Sequence, residues 1–159
     1  MNFKILTVKQ LNENQIAEIA EKIIELKPIY FSINQSSFVF LDNTIIGIFQ
    51  IINLNEKEVD LRYGIFKDFQ NKKIGAYVLN HIINYIFLTN SIKKVYLNID
   101  YKNLASIKVA ENCNLKIDYN LVEIRELSGE GDNFIPYFIE NKKLEKDKIY
   151  DFSLLTKKF

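Results

Sequence analysis

The sequence predicts an α+β fold in which helices flank a mixed, mostly antiparallel sheet. Segments that alternate apolar and polar residues, typical of strands, interchange with segments whose apolar residues recur every three or four positions, typical of helices. Three strand-like segments follow the first helix in succession, which favours antiparallel pairing through short turns. The expected order is β-α-β-β-β-α-β-α-β-β, in a single domain over residues 1–159.

Local patterns justify each element in turn. The expected strands are residues 3–8, 37–41, 44–52, 59–65, 95–99, 121–127 and 148–155. The first helix is expected over residues 13–26, because Asn12 and Gln15 form a capping-box pattern and Pro28 ends the apolar periodicity. A second helix has its apolar face between Ile74 and Ile86, and a shorter third helix runs through residues 104–110.

The segment between the last two expected strands, residues 128–147, reads as a long polar connection. It contains an apolar group, Phe134, Ile135, Tyr137 and Phe138, among several carboxylates. Such a group packs against something. Three partners stay open: the substrate, a second copy of the chain in a homodimer, or the chain's own sheet.

Composition excludes several classes of function. The net charge is +1 and the positive charge forms only short lysine pairs, so we expect no nucleic-acid partner. Cys113 and His81 are the only residues of their types, so we expect no disulfide and no metal site. There is no signal-peptide core and no apolar run of membrane-spanning length. We therefore expect a cytoplasmic protein without a membrane partner.

Residues 60–76 form a strand, a short polar loop and the start of a helix. The first backbone N–H groups of a helix have no partner within the helix, and the positive end of the helix dipole lies there, so such a start attracts anions. Lys72 and Lys73 add positive charge at this place. Every strand-loop-helix unit has such N–H groups, so the pattern alone is also consistent with an ordinary connection.

Two motifs strengthen the functional interpretation. Gln70-x-x-Lys73-x-Gly75 resembles the Gln/Arg-x-x-Gly-x-Gly/Ala signature of the GNAT superfamily of acyl-CoA N-acetyltransferases. The later Asp-x-x-Asn103-x-x-Ser106 resembles the second motif of the same family. Both motifs lie on the expected elements, and the resemblance extends over about residues 37–159.

A finer resemblance is to the branch that acetylates the N-termini of ribosomal proteins. In that branch an acidic-x-x-Tyr strand precedes the loop, as Asp60 and Tyr63 do here. The resemblance implies acetyl-CoA as co-substrate, no metal, and a primary amine as acceptor: a peptide N-terminus, a small metabolite or an amino sugar. It also implies that the strand ending at Ile65 splays from the next strand, and that the pantetheine arm inserts beside it.

The resemblance assigns the co-substrate to the third strand of this series, the loop and two helix starts. The implied residues are Tyr63, Ile65, Gln70, Asn71, Lys72, Lys73, Ile74, Gly75, Ala76, Asn103 and Ser106. The backbone of Tyr63 and Ile65 would pair with the pantetheine arm, and the Ile65 N–H would polarise the thioester carbonyl. Asn103 would bond the pantetheine, although an asparagine there is also a helix cap.

Two residues are the candidates for proton transfer. Asp60 is expected to deprotonate the amine, with Glu58 as the second choice, and a solvated strand carboxylate is the alternative for Asp60. Many family members carry a tyrosine seven positions after the motif asparagine, but this chain has Ala110. Ser106 is therefore the expected proton donor to the leaving thiolate. A co-substrate contact or a helix-start hydroxyl are the alternatives for Ser106.

The sequence departs from the family pattern at two glycine positions. Lys73 stands where the family has glycine, and we expect neighbouring Asn71 to take the left-handed bend in its place. Asn114 replaces the glycine after the third helix, where asparagine also serves as a left-handed helix stop. With Ala110, the Lys73 departure motivates the alternative of a GNAT-fold module that binds CoA or a protein without turnover.

Overall fold

The computed structural model describes residues 2–27, 30–70, 72–129 and 133–142. The strands are β1 (Phe3–Thr7), β2 (Ser37–Leu41), β3 (Thr44–Asn53), β4 (Glu58–Ile65), β5 (Lys94–Asp100), β6 (Lys116–Ile117) and β7 (Phe134–Glu140). The helices are α1 (Glu13–Ile23), α2 (Gly75–Thr89), α3 (Leu104–Asn112) and α4 (Tyr119–Leu127).

The strands form one sheet in the order β1-β2-β3-β4-β5-β7-β6. Among the described strands, only β4 and β5 pair in parallel, because α2 connects them as a crossover, and the other neighbours are antiparallel. The predicted fold class, a mixed and mostly antiparallel sheet flanked by helices, is confirmed.

Alternation along the strands produces a separate core on each face of the sheet. On one face, Val59 and Leu61 of β4 pack with Ile82 of α2. On the other face, Phe38 of β2 packs with Ile19 of α1. Helices α2 and α3 therefore cover one face, and α1 covers part of the other.

The expected strand at residues 121–127 is wrong, because this segment is the helix α4. Asp118 starts the helix, since its Oδ1 accepts a hydrogen bond from the Leu121 N–H at 3.0 Å. Asp118 also anchors the helix start to β5: its Oδ2 accepts from the Tyr96 hydroxyl at 3.2 Å and lies 3.7 Å from the Lys94 ammonium.

The expected loop over residues 128–147 is also wrong, because it contains strand β7, which pairs with β5 from Asp100↔Phe134 to Lys94↔Glu140. Of the three partners considered for the apolar group, the chain's own sheet is the one observed. Pro136 lacks a backbone N–H but retains its carbonyl, which accepts a hydrogen bond from the Asp118 N–H at 2.8 Å. Proline is therefore tolerated at this position of the strand. The strand expected at residues 148–155 lies outside the described residues.

Candidate active site

Strands β4 and β5 separate along their length. Their parallel pairing runs only from Glu58↔Lys94 to Asp60↔Tyr96. Both strands continue beyond these pairs, β4 against β3 and β5 against β7. The gap between them beyond Asp60 and Tyr96 is called the splay below. The splay expected from the family resemblance is therefore confirmed.

The backbone of β4 presents polar groups to the splay. The Phe66 N–H donates to the Ile46 carbonyl of β3 at 2.9 Å. Backbone direction alternates along an antiparallel strand, so Tyr63 and Ile65 direct their N–H and C=O groups away from β3. Among the described residues, no strand pairs with them on that side. The Ile65 carbonyl accepts a hydrogen bond from Gln70 Nε2 at 2.8 Å, which ties the following loop back to β4.

The loop makes its sharp bend at Lys73, whose φ is 60°. Sequence reasoning expected the bend at Asn71, which lies outside the described residues. A side chain in left-handed conformation is strained by its Cβ, so Lys73 retains the backbone shape of the family glycine at an energetic cost. Lys72 and Lys73 are both exposed beside the start of α2.

The start of α2 is fastened to α3. A Cβ at Gly75 would lie 2.9 Å from Val109 Cγ2, so the glycine permits close packing of the two helices. The Cys113 thiol donates to the Ala76 carbonyl at 3.3 Å. At Ile74, within the described residues, no side chain caps the helix, so its first N–H groups remain available to an anion.

The second motif forms the start of α3, on the same side of the sheet as the Tyr63 side chain. Asn103 Oδ1 accepts from the Ser106 N–H at 3.1 Å, so the helix-capping role considered for Asn103 is observed. The Tyr63 side chain packs against the core cluster to which α3 contributes Ala110. Burial raises the pKa of Tyr63 above its usual range, the nearby Cys113 thiol adds to the rise, and Ser106 opposes it.

Asp60 lies on the opposite face of the sheet, at the closed end of the splay. It is half-buried. Its Oδ1 accepts from Asn98 Nδ2 at 3.1 Å, and Asn98 Oδ1 accepts from Arg125 Nη2 at 2.8 Å. Burial raises the pKa of Asp60, and the bond from Asn98 and the charges of Arg62 and Arg125 oppose this rise.

The two candidate catalytic residues are not in contact, since Asp60 and Ser106 lie on opposite faces of the sheet. The second choice for the base, Glu58, accepts a hydrogen bond from Asn55 within the turn before β4. Sequence reasoning missed Asn98 and Arg125. The signal for Asn98 was a polar residue inside a buried strand, whereas nothing local marked Arg125.

Other candidate sites lie apart from the splay. Two open clefts flank Lys94 and Glu140 at the paired end of β4 and β5, and none of their lining residues belongs to the splay. Across the described ranges, no three His, Cys, Asp or Glu side chains gather as a metal site would require. No described helix is both long and apolar enough to cross a membrane.

The arrangement agrees with the family to which the sequence belongs. Residues 4–116 match the family described as "Acetyltransferase (GNAT) domain", which is most of the chain. The protein is thus a member of the GNAT acetyltransferase family and an acyltransferase. Among curated protein sequences no match was found.

Solved structures share the fold at low identity. The Campylobacter jejuni N-acetyltransferase PseH is 18% identical with a TM-score of 0.63, covering 89% of this chain and 100% of its own. It has also been solved with acetyl coenzyme A. The Vibrio cholerae spermidine N-acetyltransferase in complex with CoA and spermine is 14% identical with a TM-score of 0.63, covering 89% and 97%.

A third structure bears on the finer resemblance. It comes from Vibrio cholerae, and its assignment as a ribosomal-protein-serine acetyltransferase is itself provisional. It is 15% identical with a TM-score of 0.62, covering 88% of this chain and 94% of its own. At such identity the likeness shows the fold alone, so the ribosomal-protein branch stays a prediction.

Proposed function

We propose that this protein transfers an acetyl group from acetyl-CoA to a primary amine by direct attack in a ternary complex. The splay is the observation that carries the proposal. It offers the backbone N–H and C=O of Tyr63 and the N–H of Ile65 at the edge of β4, as an added strand would require. Membership of the acetyltransferase family supports the same reaction.

The chain's own residues fit an extended, anionic co-substrate. The pantetheine arm supplies amides that would pair with Tyr63 and Ile65. The pyrophosphate would bind at the start of α2, where Gly75 and Ala76 carry available N–H groups and the helix dipole is positive. Lys73 would add a mobile ammonium to this site. CoA supplies the activated acetyl group when it is bound.

Gln70, Asn103 and Ser106 have indirect roles in this proposal. The Gln70 amide binds the Ile65 carbonyl and so shapes the loop from within. Asn103 caps α3, because its Oδ1 accepts a hydrogen bond from the Ser106 N–H in the first turn. In this proposal, Gln70 and Asn103 position the loop and the start of α3, in addition to any contact that they make with CoA.

The acceptor would approach from the face that carries Asp60. Asp60 lies where the splay closes, and Asn98 orients its carboxylate. A carboxylate with a raised pKa is a better base for an amine than an ordinary one, because its pKa lies closer to the working pH. We propose Asp60 as the base, acting directly or through water.

The acceptor class is a peptide N-terminus, a small metabolite or an amino sugar in this proposal. The neighbours named for spermidine and ribosomal-protein acetylation support amines of more than one size. The ribosomal-protein branch is the specific proposal, since Asp60 and Tyr63 occupy the acidic-x-x-Tyr positions on β4.

A thermal-shift measurement with acetyl-CoA tests the binding half of the proposal. Ligand at about 100 times its Kd stabilises a protein by about 2.7 kcal/mol. For a domain of this size that corresponds to a rise in Tm of roughly 5–10 °C. A nucleotide without pantetheine, such as ADP, is the matched ligand control. A Tm that acetyl-CoA leaves unchanged would contradict the assignment of the splay.

Thiol release from acetyl-CoA in the presence of an amine panel tests the transfer half. The panel contains peptides with different N-termini, polyamines and amino sugars, with mass spectrometry of each product. We expect one class to be acetylated and the parent to release little thiol without an amine. Binding of acetyl-CoA without transfer to any amine would favour the alternative module that lacks turnover.

A further inference from the structure

A side-chain bridge joins β4 and β5 at the closed end of the splay. The backbone pairing of these strands ends at Asp60↔Tyr96. Asn98 comes two residues later on β5, so its side chain lies on the same face of the sheet as that of Tyr96. Its Nδ2 donates a hydrogen bond to Asp60 Oδ1 at 3.1 Å. This bond therefore connects the strands one step beyond the backbone pairing, and it ends on the proposed base.

Arg125 fixes the direction of this bridge. Its Nη2 donates to Asn98 Oδ1 at 2.8 Å. An arginine side chain only donates hydrogen bonds, and an ionised carboxylate only accepts them. The Asn98 amide therefore satisfies both neighbours only with its oxygen toward Arg125 and its nitrogen toward Asp60. Arg125 thus keeps an N–H, and not a carbonyl oxygen, directed at the carboxylate.

Helix α4 holds Arg125 over this face of the sheet. At the start of α4, Asp118 Oδ2 accepts from the Tyr96 hydroxyl at 3.2 Å. In the last turn, Arg125 reaches Asn98, which is the next residue on that face of β5. Asp118 and Arg125 are seven positions apart, about two helical turns, so they lie on one side of α4. The family match ends at residue 116, so Arg125 lies outside the matched region.

We infer that Arg125 is a positioning residue: through Asn98 it holds the Asp60 carboxylate in the orientation and the ionised state that accept a proton from the amine. This inference rests on the proposed function, in which Asp60 is the base. Asp60 Oδ2 has no hydrogen-bond partner among the described residues, so it is available to the amine or to a bridging water. Without Arg125 the Asn98 amide can turn, and its oxygen then accepts a hydrogen bond from a protonated Asp60. That arrangement stabilises the neutral acid, which cannot take up the amine proton.

The charges around Asp60 agree with this role. Burial raises the pKa of Asp60, and the hydrogen bond from Asn98 and the charges of Arg62 and Arg125 oppose the rise. Arg125 opposes it twice, by its own charge and through the bond that it orients. The charged or titratable side chains that flank Asp60 on this face of β4, β5 and α4 are Glu58, Arg62, Lys94, Tyr96, Asp118 and Arg125. Loss of Arg125 should raise the pKa of Asp60 further, so the acid limb of the pH profile of kcat should move to higher pH.

Single substitutions of Arg125 separate positioning from substrate binding. Arg125→Met removes the donors, and we expect kcat to fall by about ten-fold, as the loss of one hydrogen bond predicts. The KM for the amine and the Kd for acetyl-CoA should stay within about two-fold. Arg125→Lys retains a charge and a donor, so it should recover part of the activity. Lys116→Met is the control, because Lys116 is exposed and its loss changes the net charge equally.

Paired substitutions test whether Arg125 acts through Asn98. Asn98→Ala should lower kcat at least as much as Arg125→Met does, because it removes the bond to Asp60. Adding Arg125→Met to Asn98→Ala should then lower kcat by no more than about two-fold, because the two residues act in series. In both single variants the acid limb of kcat should lie at higher pH than in the parent. A residue that only stabilises the fold would give additive losses and leave the acid limb in place.

The inference is overturned if Arg125→Met keeps kcat within two-fold of the parent's, if its acid limb does not move, or if the losses at Arg125 and Asn98 add. Should Arg125→Met fail to fold and bind acetyl-CoA, the acid limbs of Arg125→Lys and Asn98→Ala decide, and unshifted limbs overturn the inference. A parent that acetylates no amine overturns the proposed function, and Asp60→Asn with the parent's kcat overturns the assigned base. The inference falls with either. A fully active Arg125→Met beside an inactive Asp60→Asn overturns the inference alone.

Discussion

Substitutions at Lys73 can separate the effect of its backbone strain on stability from the effect of its charge on acetyl-CoA binding. Its φ of 60° places a side chain in the left-handed region, where only glycine is free of the Cβ clash. We expect Lys73→Gly to stabilise the fold, because it relieves this clash. Lys73→Ala should leave the stability unchanged, because alanine retains the Cβ while it loses the ammonium.

The expected magnitude follows from two opposing terms. Left-handed geometry costs a residue with a side chain about 1–2 kcal/mol. Glycine makes the unfolded chain more flexible, which lowers the stability of the fold by about 0.5–1 kcal/mol and offsets part of the relief of strain. The net stabilisation of Lys73→Gly is therefore about 0.5–1 kcal/mol. In urea, with a typical slope of about 2 kcal/mol per molar, the unfolding midpoint should rise by about 0.3–0.5 M.

Urea unfolding followed by circular dichroism measures this shift. Lys72→Gly is the matched control, because Lys72 is the neighbouring lysine and its φ is not positive. That variant should lower the midpoint. A Lys73→Gly midpoint equal to that of Lys73→Ala would refute the argument from strain.

Binding of acetyl-CoA to the same variants reports the charge. If the Lys73 ammonium contributes, both variants bind more weakly at low salt, and the difference from the parent closes as salt screens the interaction. Tighter binding by Lys73→Ala at every ionic strength would show that the ammonium does not assist.

Three further predictions test the packing, the base and the last described strand. Gly75→Val should destabilise the fold by about 1–3 kcal/mol, because a Cβ at Gly75 would lie 2.9 Å from Val109. Adding Val109→Ala to this variant should partly restore its stability in urea unfolding. If the losses of the two substitutions simply add, the contact is refuted. Asp60→Asn should lower kcat strongly. The folded-state pKa of Asp60 is raised, so the parent loses stability as the pH rises through that pKa, and the free energy of unfolding of Asp60→Asn at about pH 7 should equal or exceed the parent's. The difference between variant and parent should close near pH 3, where Asp60 is protonated. An Asp60→Asn variant less stable than the parent at neutral pH would contradict this prediction. Tyr137→Ala should lower the free energy of unfolding by about 3–5 kcal/mol and Phe134→Ala far less, because the two side chains are 2% and 47% exposed. Equal losses would contradict the placement of these side chains on β7.

Local signals were sufficient where an element depends on its own residues. The capping box at Asn12 and Gln15 forms as expected. Asn114 takes a φ of 63° and ends α3, and Asp42 takes a φ of 54° in the hairpin turn. These features depend on side-chain bonds and backbone freedom within a few residues, so the sequence is enough to predict them.

The same reasoning failed after residue 120, where local patterns conflict with distant partners. Residues 121–127 contain β-branched residues that favour a strand, but the Asp118 cap starts a helix there. The sequence predicts a loop over residues 128–147 because most of this segment is polar and it contains glycine. The Pro136 carbonyl accepts a hydrogen bond from the Asp118 N–H, just after β6, and no local pattern reveals this partner.

By itself, the sequence determined the fold class, the starts of α1, α2 and α3, and the candidate residues along β4, the loop and α3. The tertiary structure decided which of them meet. Asp60 and Asn98 are 38 positions apart, and Asn98 and Arg125 are 27 apart. Tyr63 of β4 packs against the same core as Ala110 of α3, although the two residues are far apart in the sequence. Such contacts depend on how whole elements pack, whereas periodicity and capping carry information over only a few residues.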